Sequence, residues 1–258
     1  MEILEGEIRW ASCDRAAWAA AIEAFDGKRL SRENYVAEWG WIAAGMFDKH
    51  DQLTDDWHQA FTTVVNADNR GVMFARYQDM GHIVEWCYDG SRVVTTTVQC
   101  DVIAGQIAED AFCEIHLGAP NDAWRLLARA LPPIFKTPSS TDVATKTELD
   151  IEFAEWPSDP KASHALLEAA LHNDPIVNSA VDASQAVFVT ALIGDEERTF
   201  AWFPAAESSD QPAIFYRIGA DGLFQVGSSD LRTVIEPMIF ATPSFEDIHI
   251  DEEPEPGW

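Results

Sequence analysis

One order of elements occurs twice in this chain, and a repeat of that kind fixes architecture before any other feature does. In the first pass a helix-like stretch from Leu53 to Asn66 leads into three β-like runs and a helix-like stretch from Asp101 to Phe112. In the second, a helix-like stretch from Ser163 to Asn173 leads into three more β-like runs and a helix-like stretch from Ser229 to Phe240. Each closes with the same texture: a hairpin signal (Tyr88-Asp89-Gly90-Ser91; Ala220-Asp221-Gly222), a β-rich run, a polar cap and a short amphipathic helix. The expected fold is α+β, internally duplicated: quasi-twofold α-βββ-α units forming a central antiparallel sheet with helices packed on it.

The boundaries follow from local signals. Glu2 to Trp10 alternates and reads as an opening strand with Leu4, Gly6, Ile8 and Trp10 on one side. Ser12 or Asp14 caps a helix whose face is Ala17, Trp18, Ala21, Ile22 and Phe25, and Gly27 stops it. A second helix from about Arg32 to Met46 carries Tyr35, Val36, Trp39, Ile42 and Ala43 at helical spacing, and Thr54 caps a third around Trp57, Phe61, Val64 and Val65. Arg70–Gln78, His82–Tyr88 and Arg92–Val98 read as a meander, with Asp89-Gly90 a strong short-hairpin signal. Asp122 opens a short helix that Pro132-Pro133 ends. Residues 139–148 read as a linker between halves 1–138 and 149–245 of one domain spanning 1–245. The second half holds strands at Ser184–Ile193, Arg198–Phe203, Ala213–Ile218 and Leu223–Val226, with Pro237 shortening or bending the last helix. The tail 246–258 carries acidic residues and prolines and is expected to be mobile.

Composition narrows the function classes. Of 258 residues 47% are hydrophobic, with 10 Trp and 14 Phe, enough for a packed core. No apolar run reaches the ~20 residues a spanning helix needs, and the first residues lack the basic and apolar regions of a signal peptide, so the expectation is a cytosolic protein. The net charge of −27 argues against binding phosphate backbones. Cys13, Cys87, Cys100 and Cys113 form no CxxC pair and read as reduced, buried thiols.

Reaction signatures are missing. No GxGxxG, GxxxxGK[ST], HExxH or GxSxG is present. His82 and Glu85, three apart on a strand, face opposite sides, and Cys113 and His116 do the same if extended. His249, Asp251 and Glu252 offer two ligands on a tail, too few for selective metal binding. His164 and His172 decorate a helix surface; Ser91, Ser184 and Ser228 sit in turn-like contexts. No catalytic, cofactor-binding or metal residue is assigned, and the expectation is a protein that is not an enzyme. Aromatics cluster at Trp39, Trp41, Met46-Phe47 and at Trp202-Phe203-Pro204; core packing accounts for most such clusters, while the functional alternative is a protein-binding patch at Trp202, Phe203 and Pro204 with Glu207 and Asp210 in the adjoining loop.

The opening Ile8-Arg-Trp-Ala-Ser-Cys-Asp-Arg-Ala-Ala-Trp18, the segment Leu53-Thr-Asp-Asp-Trp57, the meander with its Asp-Gly hairpin, and the close Phe215-Tyr-Arg-Ile-Gly-Ala-Asp-Gly-Leu-Phe-Gln-Val-Gly-Ser-Ser-Asp-Leu231 together resemble the EspG-type chaperones of ESX (type VII) secretion. The likeness covers most of residues 1–241 and is one of element order. It implies a quasi-twofold α+β fold and a cytosolic role binding helical secretion substrates before export; it carries over no contact residues. The strong acidity and the tail after Phe245 depart from the family pattern. The alternative reading is an acidic immunity or antitoxin-like protein that neutralises a basic partner.

Overall fold

The computed structural model describes residues 8–28, 46–50, 52–67, 69–103, 106–136, 145–146, 184–193, 196–205, 215–219 and 222–240. The helix-like stretches at 32–45 and 163–173, the loop 206–211 and the tail 246–258 lie outside them.

Among the described residues ten antiparallel strands form one sheet: β1 (Arg9–Asp14), β2 (Asn69–Tyr77), β3 (Met80–Tyr88), β4 (Val93–Ile103), β5 (Gln106–Gly118), β6 (Thr145–Lys146), β7 (Gln185–Ile193), β8 (Glu196–Pro204), β9 (Phe215–Gly219) and β10 (Gly222–Val226). Their order across the sheet is β1-β5-β4-β3-β2-β7-β8-β9-β10-β6. Among the described residues four α-helices accompany them: α1 (Arg15–Asp26), α2 (Asp55–Asn66), α3 (Ala123–Ala128) and α4 (Ser228–Phe240). The order reads outward in the same way from the β2–β7 join, where pairing runs from Asn69↔Ile193 to Tyr77↔Gln185. On each side, the strand that comes first in sequence lies outermost, beside the one that comes last. Thr145–Lys146, inside the span read as a linker, pair with β10 and make that outer strand for the second half.

Local chemistry accounts for the hairpins. Asp89 Oδ1 accepts from the backbone N–H groups of Ser91 and Arg92 at 2.9 Å, and Gly90 takes φ +90°, a conformation that suits a residue without Cβ. Thr63 donates to Asp89 Oδ2 at 2.6 Å, which ties the turn to α2.

The expected closing helix at Asp101–Phe112 is instead the far part of the β4–β5 hairpin. Val102, Ile103, Ile107 and Ala108 do not share a buried face, since Ile103 is exposed and Phe112 points outward as well. Farther along β5 the period is two: Cys113, Ile115 and Leu117 are buried on one side. The first unit is therefore built of strands where a final helix was expected. The register of β1 also differs from expectation, for Ala11 and Cys13 are its buried residues while Trp10 is 65% exposed. Pro237 does not end α4, which continues to Phe240.

Helices cover both faces of the sheet. On one, α3, α4 and the short 3-10 turn Pro133–Lys136 bury Leu127, Phe135, Leu231 and Ile235 against Met73, Val84, Trp86, Val187, Trp202 and Phe215. On the other, α1 and α2 bury Trp18, Trp57 and Phe61 against Cys13, Val94, Val98, Ile115 and Leu117. Among the described residues, no helix is long and apolar enough to cross a membrane.

Candidate functional site

Among the described residues, a hollow adjoins the sheet on each face. The larger, about 830 Å³, lies between the α1–α2 pair and the central strands β2, β3, β7 and β8. Its walls stand where they do because both helices are anchored at their starts. Asp14 caps α1 by accepting from the Ala17 N–H at 3.0 Å. Asp55 and Asp56 fill the first turn of α2, where negative charge meets the positive end of the helix dipole. Trp18 and Phe25 stack on Phe61 at ring-centroid distances of 5.0 and 5.1 Å, locking the two helices together.

The groove surface is apolar with a charged rim. Ile22, Val64, Val65, Val72, Ile83 and Leu192 face it, and Leu192 is 44% exposed. The two arginines at its wall are already engaged: Arg15 pairs with Glu109, and Arg70 donates to the carbonyls of Ala67 and Val65 at the end of α2, at 3.0 and 3.2 Å. Glu23, Asp26, Glu85 and Glu197 add carboxylates, so the rim is net acidic. Burial raises the thiol of Cys87, in the groove wall, to about 11; that thiol is protonated at neutral pH and a poor nucleophile.

The smaller hollow, about 310 Å³, lies on the opposite face between α3 and β5, β4 and β3. Ser12, His82, Gln99, Glu114, His116 and Arg129 contribute to it. His116 is buried, and burial followed by the Arg129 charge lowers its pKa below the ordinary 6.5, with Glu114 opposing. The imidazole is therefore neutral at pH 7 and its Nε2 accepts from Arg129 at 2.9 Å. A base whose lone pair is held by a guanidinium does not abstract a substrate proton without first losing that bond. The lining of this cleft is mostly polar.

The residues singled out in the sequence fall as follows. Trp202, Phe203 and Pro204 are buried: Trp202 packs under α4 with its indole N–H toward Asp230 at 3.4 Å, and Phe203 stands edge-on to Phe188. Of the two readings of this cluster, the buried positions of all three side chains in β8 match core packing and do not form an exposed rim. Glu207 and Asp210 lie outside the described residues. Trp39 and Trp41 do too, whereas Met46 is buried beside α1 and α2. Among the described residues no group of three His, Cys, Asp or Glu side chains could hold a metal ion. Sequence reasoning missed the groove. Its signal was the pair of amphipathic helices flanking central strands that present Val72 and Ile83 to the same face.

No family model and no curated protein matches the chain. Among solved structures, a 12:0-ACP thioesterase from Umbellularia californica aligns over 87% of this chain and 97% of its own, at 10% identity and a TM-score of 0.19. A score that low carries no argument about fold or function.

Proposed function

We propose that this chain is a non-enzymatic, cytosolic protein-binding scaffold that holds a helical client in the α1–α2 groove, in the manner of the EspG-like type VII (ESX) secretion chaperones it resembles. The observation that carries the reading is the acid-rimmed apolar groove over the β2–β7 join. Apolar side chains with open faces, Leu192 above all, gain free energy when a partner covers them, at about 25 cal/mol per Å² of apolar surface removed from water. The carboxylates around them favour a client whose apolar stripe is flanked by Lys or Arg, and the net charge of −27 acts in the same direction. The reading includes an internally duplicated, quasi-twofold chain, supported by the sheet order, in which each run of five strands has its first member outside its last. It assigns no reaction, because the one buried histidine of the smaller cleft is engaged by Arg129.

Co-purification from a native lysate tests it. The expected outcome is a small helical protein with a basic flank, at one-to-one stoichiometry, lost with Ile22→Asp in the groove and retained with Trp10→Asp at the exposed sheet edge. Recovery of the protein alone, or of the same partner with both variants, contradicts the reading. The acidity supports a second proposal, an immunity-like protein neutralising a basic partner. The two separate by salt: a complex held by charge weakens steeply between low and high ionic strength, and one held by an apolar groove changes little.

A further inference from the structure

Cys13 and Cys113 are 100 residues apart in sequence and stand directly opposite one another in the β1–β5 ladder. Their sulfurs are 3.8 Å apart, in hydrogen-bond contact, and both residues are buried beneath α1. Directly opposed residues of an antiparallel pair have Cα atoms about 4.5–5.5 Å apart, inside the roughly 4.4–6.8 Å that a disulfide spans. The two remaining cysteines have no such partner, since Cys87 opposes Val94 and Cys100 opposes Gly81. We infer that Cys13 and Cys113 form a site of reversible oxidation, in which a small hydroperoxide converts the facing thiols into a cross-strand disulfide that staples the edge strand β1 to β5.

The surroundings select one sulfur to react first. The hydrogen bond from Cys13, together with the nearby Arg15 charge, lowers the Cys113 pKa against the effect of burial. The same hydrogen bond, reinforced by burial, raises that of Cys13. The thiolate is the nucleophile, so Cys113 attacks one oxygen of hydrogen peroxide, breaks the O–O bond and becomes a sulfenic acid while hydroxide leaves and takes up a proton as water. Cys13 sulfur then attacks the Cys113 sulfur, the S–O bond breaks, and the hydroxyl leaves with the Cys13 proton as a second water. Two thiols lose two electrons and one peroxide gains them. A molecule little larger than water suits a pair this buried, and a bulky disulfide reagent does not.

The bond would restrain the chain where it matters for the groove. Asp14, next to Cys13, caps α1, and Arg15 pairs with Glu109 on β5, so the staple lies at the root of the helix that walls the larger hollow. The chemistry stands whatever occupies that hollow. A bridge closing a loop of this length restricts the unfolded chain strongly, and the expected rise in Tm is roughly 5–15 °C.

The test treats the full chain with hydrogen peroxide, then denatures, alkylates and maps peptides without reductant. The expected result is a linked peptide pair carrying Cys13 and Cys113, with Cys87 and Cys100 still alkylated, a raised Tm, and reversal of both by dithiothreitol. Cys113→Ser abolishes the Tm rise and Cys87→Ser does not; should Cys113→Ser fail to fold, the peptide map of the wild-type chain decides alone. Four alkylated thiols after peroxide, a bridge to Cys87 or Cys100, or sulfinic acid at Cys113 without a bridge would each overturn the inference.

Discussion

The two halves of the sheet hold a tryptophan at the same place and treat it in opposite ways. Trp86 on β3 lies between Gly71 on β2 and Thr95 on β4; Trp202 on β8 lies between Val187 on β7 and Arg217 on β9. In the first half, Trp86 Nε1 and Thr95 Oγ1 are buried without a hydrogen-bond partner. The ring is accommodated by shape, for a Cβ added at Gly71 would sit 2.0 Å from its Cζ2. In the second half the equivalent indole N–H points at Asp230, whose carboxylate also lies 3.3 Å from the Arg217 guanidinium. That guanidinium stacks over Phe200 and Phe224, and Asp230 sits in the first turn of α4, where the helix dipole favours its charge. One frame is thus held by close apolar fit and the other by a buried charge network. The β-order of the sheet specifies neither solution; the residues facing each tryptophan do.

The comparison breaks most readily at the ion pair. Asp230→Ala removes one carboxylate from the buried Arg217 guanidinium and should cost about 2–3 kcal/mol in urea unfolding, whereas Thr95→Ala on the other side should cost less than about 1 kcal/mol because Thr95 Oγ1 gives up no hydrogen bond. Replacing both members, Arg217→Met with Asp230→Leu, should recover much of the loss. Equal costs for Asp230→Ala and Thr95→Ala would show that the halves are held alike. Next in size is Gly71→Ala, which drives a methyl into the Trp86 ring and should cost about 1–3 kcal/mol. A neutral Gly71→Ala would mean that the first half is loosely fitted.

A smaller effect sharpens the picture of the groove wall. Asp14→Ala removes the α1 cap and should cost about 1 kcal/mol, with faster hydrogen exchange confined to the first turn of α1. The smallest is a pH effect at His116. Its folded pKa is depressed, so the unfolded chain takes up the proton first, and stability present above about pH 6.5 falls as pH drops below that value. His116→Gln should flatten this part of the stability profile; an unchanged slope would place the titration elsewhere.

Much of the fold was legible because turns and caps are local. Asp89-Gly90 predicted its hairpin and Gly27 its stop, and of the two caps the sequence offered, Ser12 or Asp14, the structure uses Asp14. Long-range burial was not legible. Residues 101–112 offered apolar side chains in pairs that suit a helix, and nothing local reveals that Ile103 and Phe112 point to solvent from the end of a hairpin. Trp202 and Phe203, adjacent and both apolar, left core and binding patch both open, and only the tertiary structure shows that each is buried on its own side of β8. The groove escaped notice for a similar reason: it arises where α1 and α2, which pair with each other, stand over strands from both halves.

The central claim is that the α1–α2 groove grips a client, and hydrogen exchange on the native complex tests it most directly. The account predicts slowed exchange in α1, α2, the β2–β7 join and the start of β8 when the client is bound, with β9 and β10 unchanged. Protection confined to β9 and β10, or none anywhere while the partner remains bound, would contradict it.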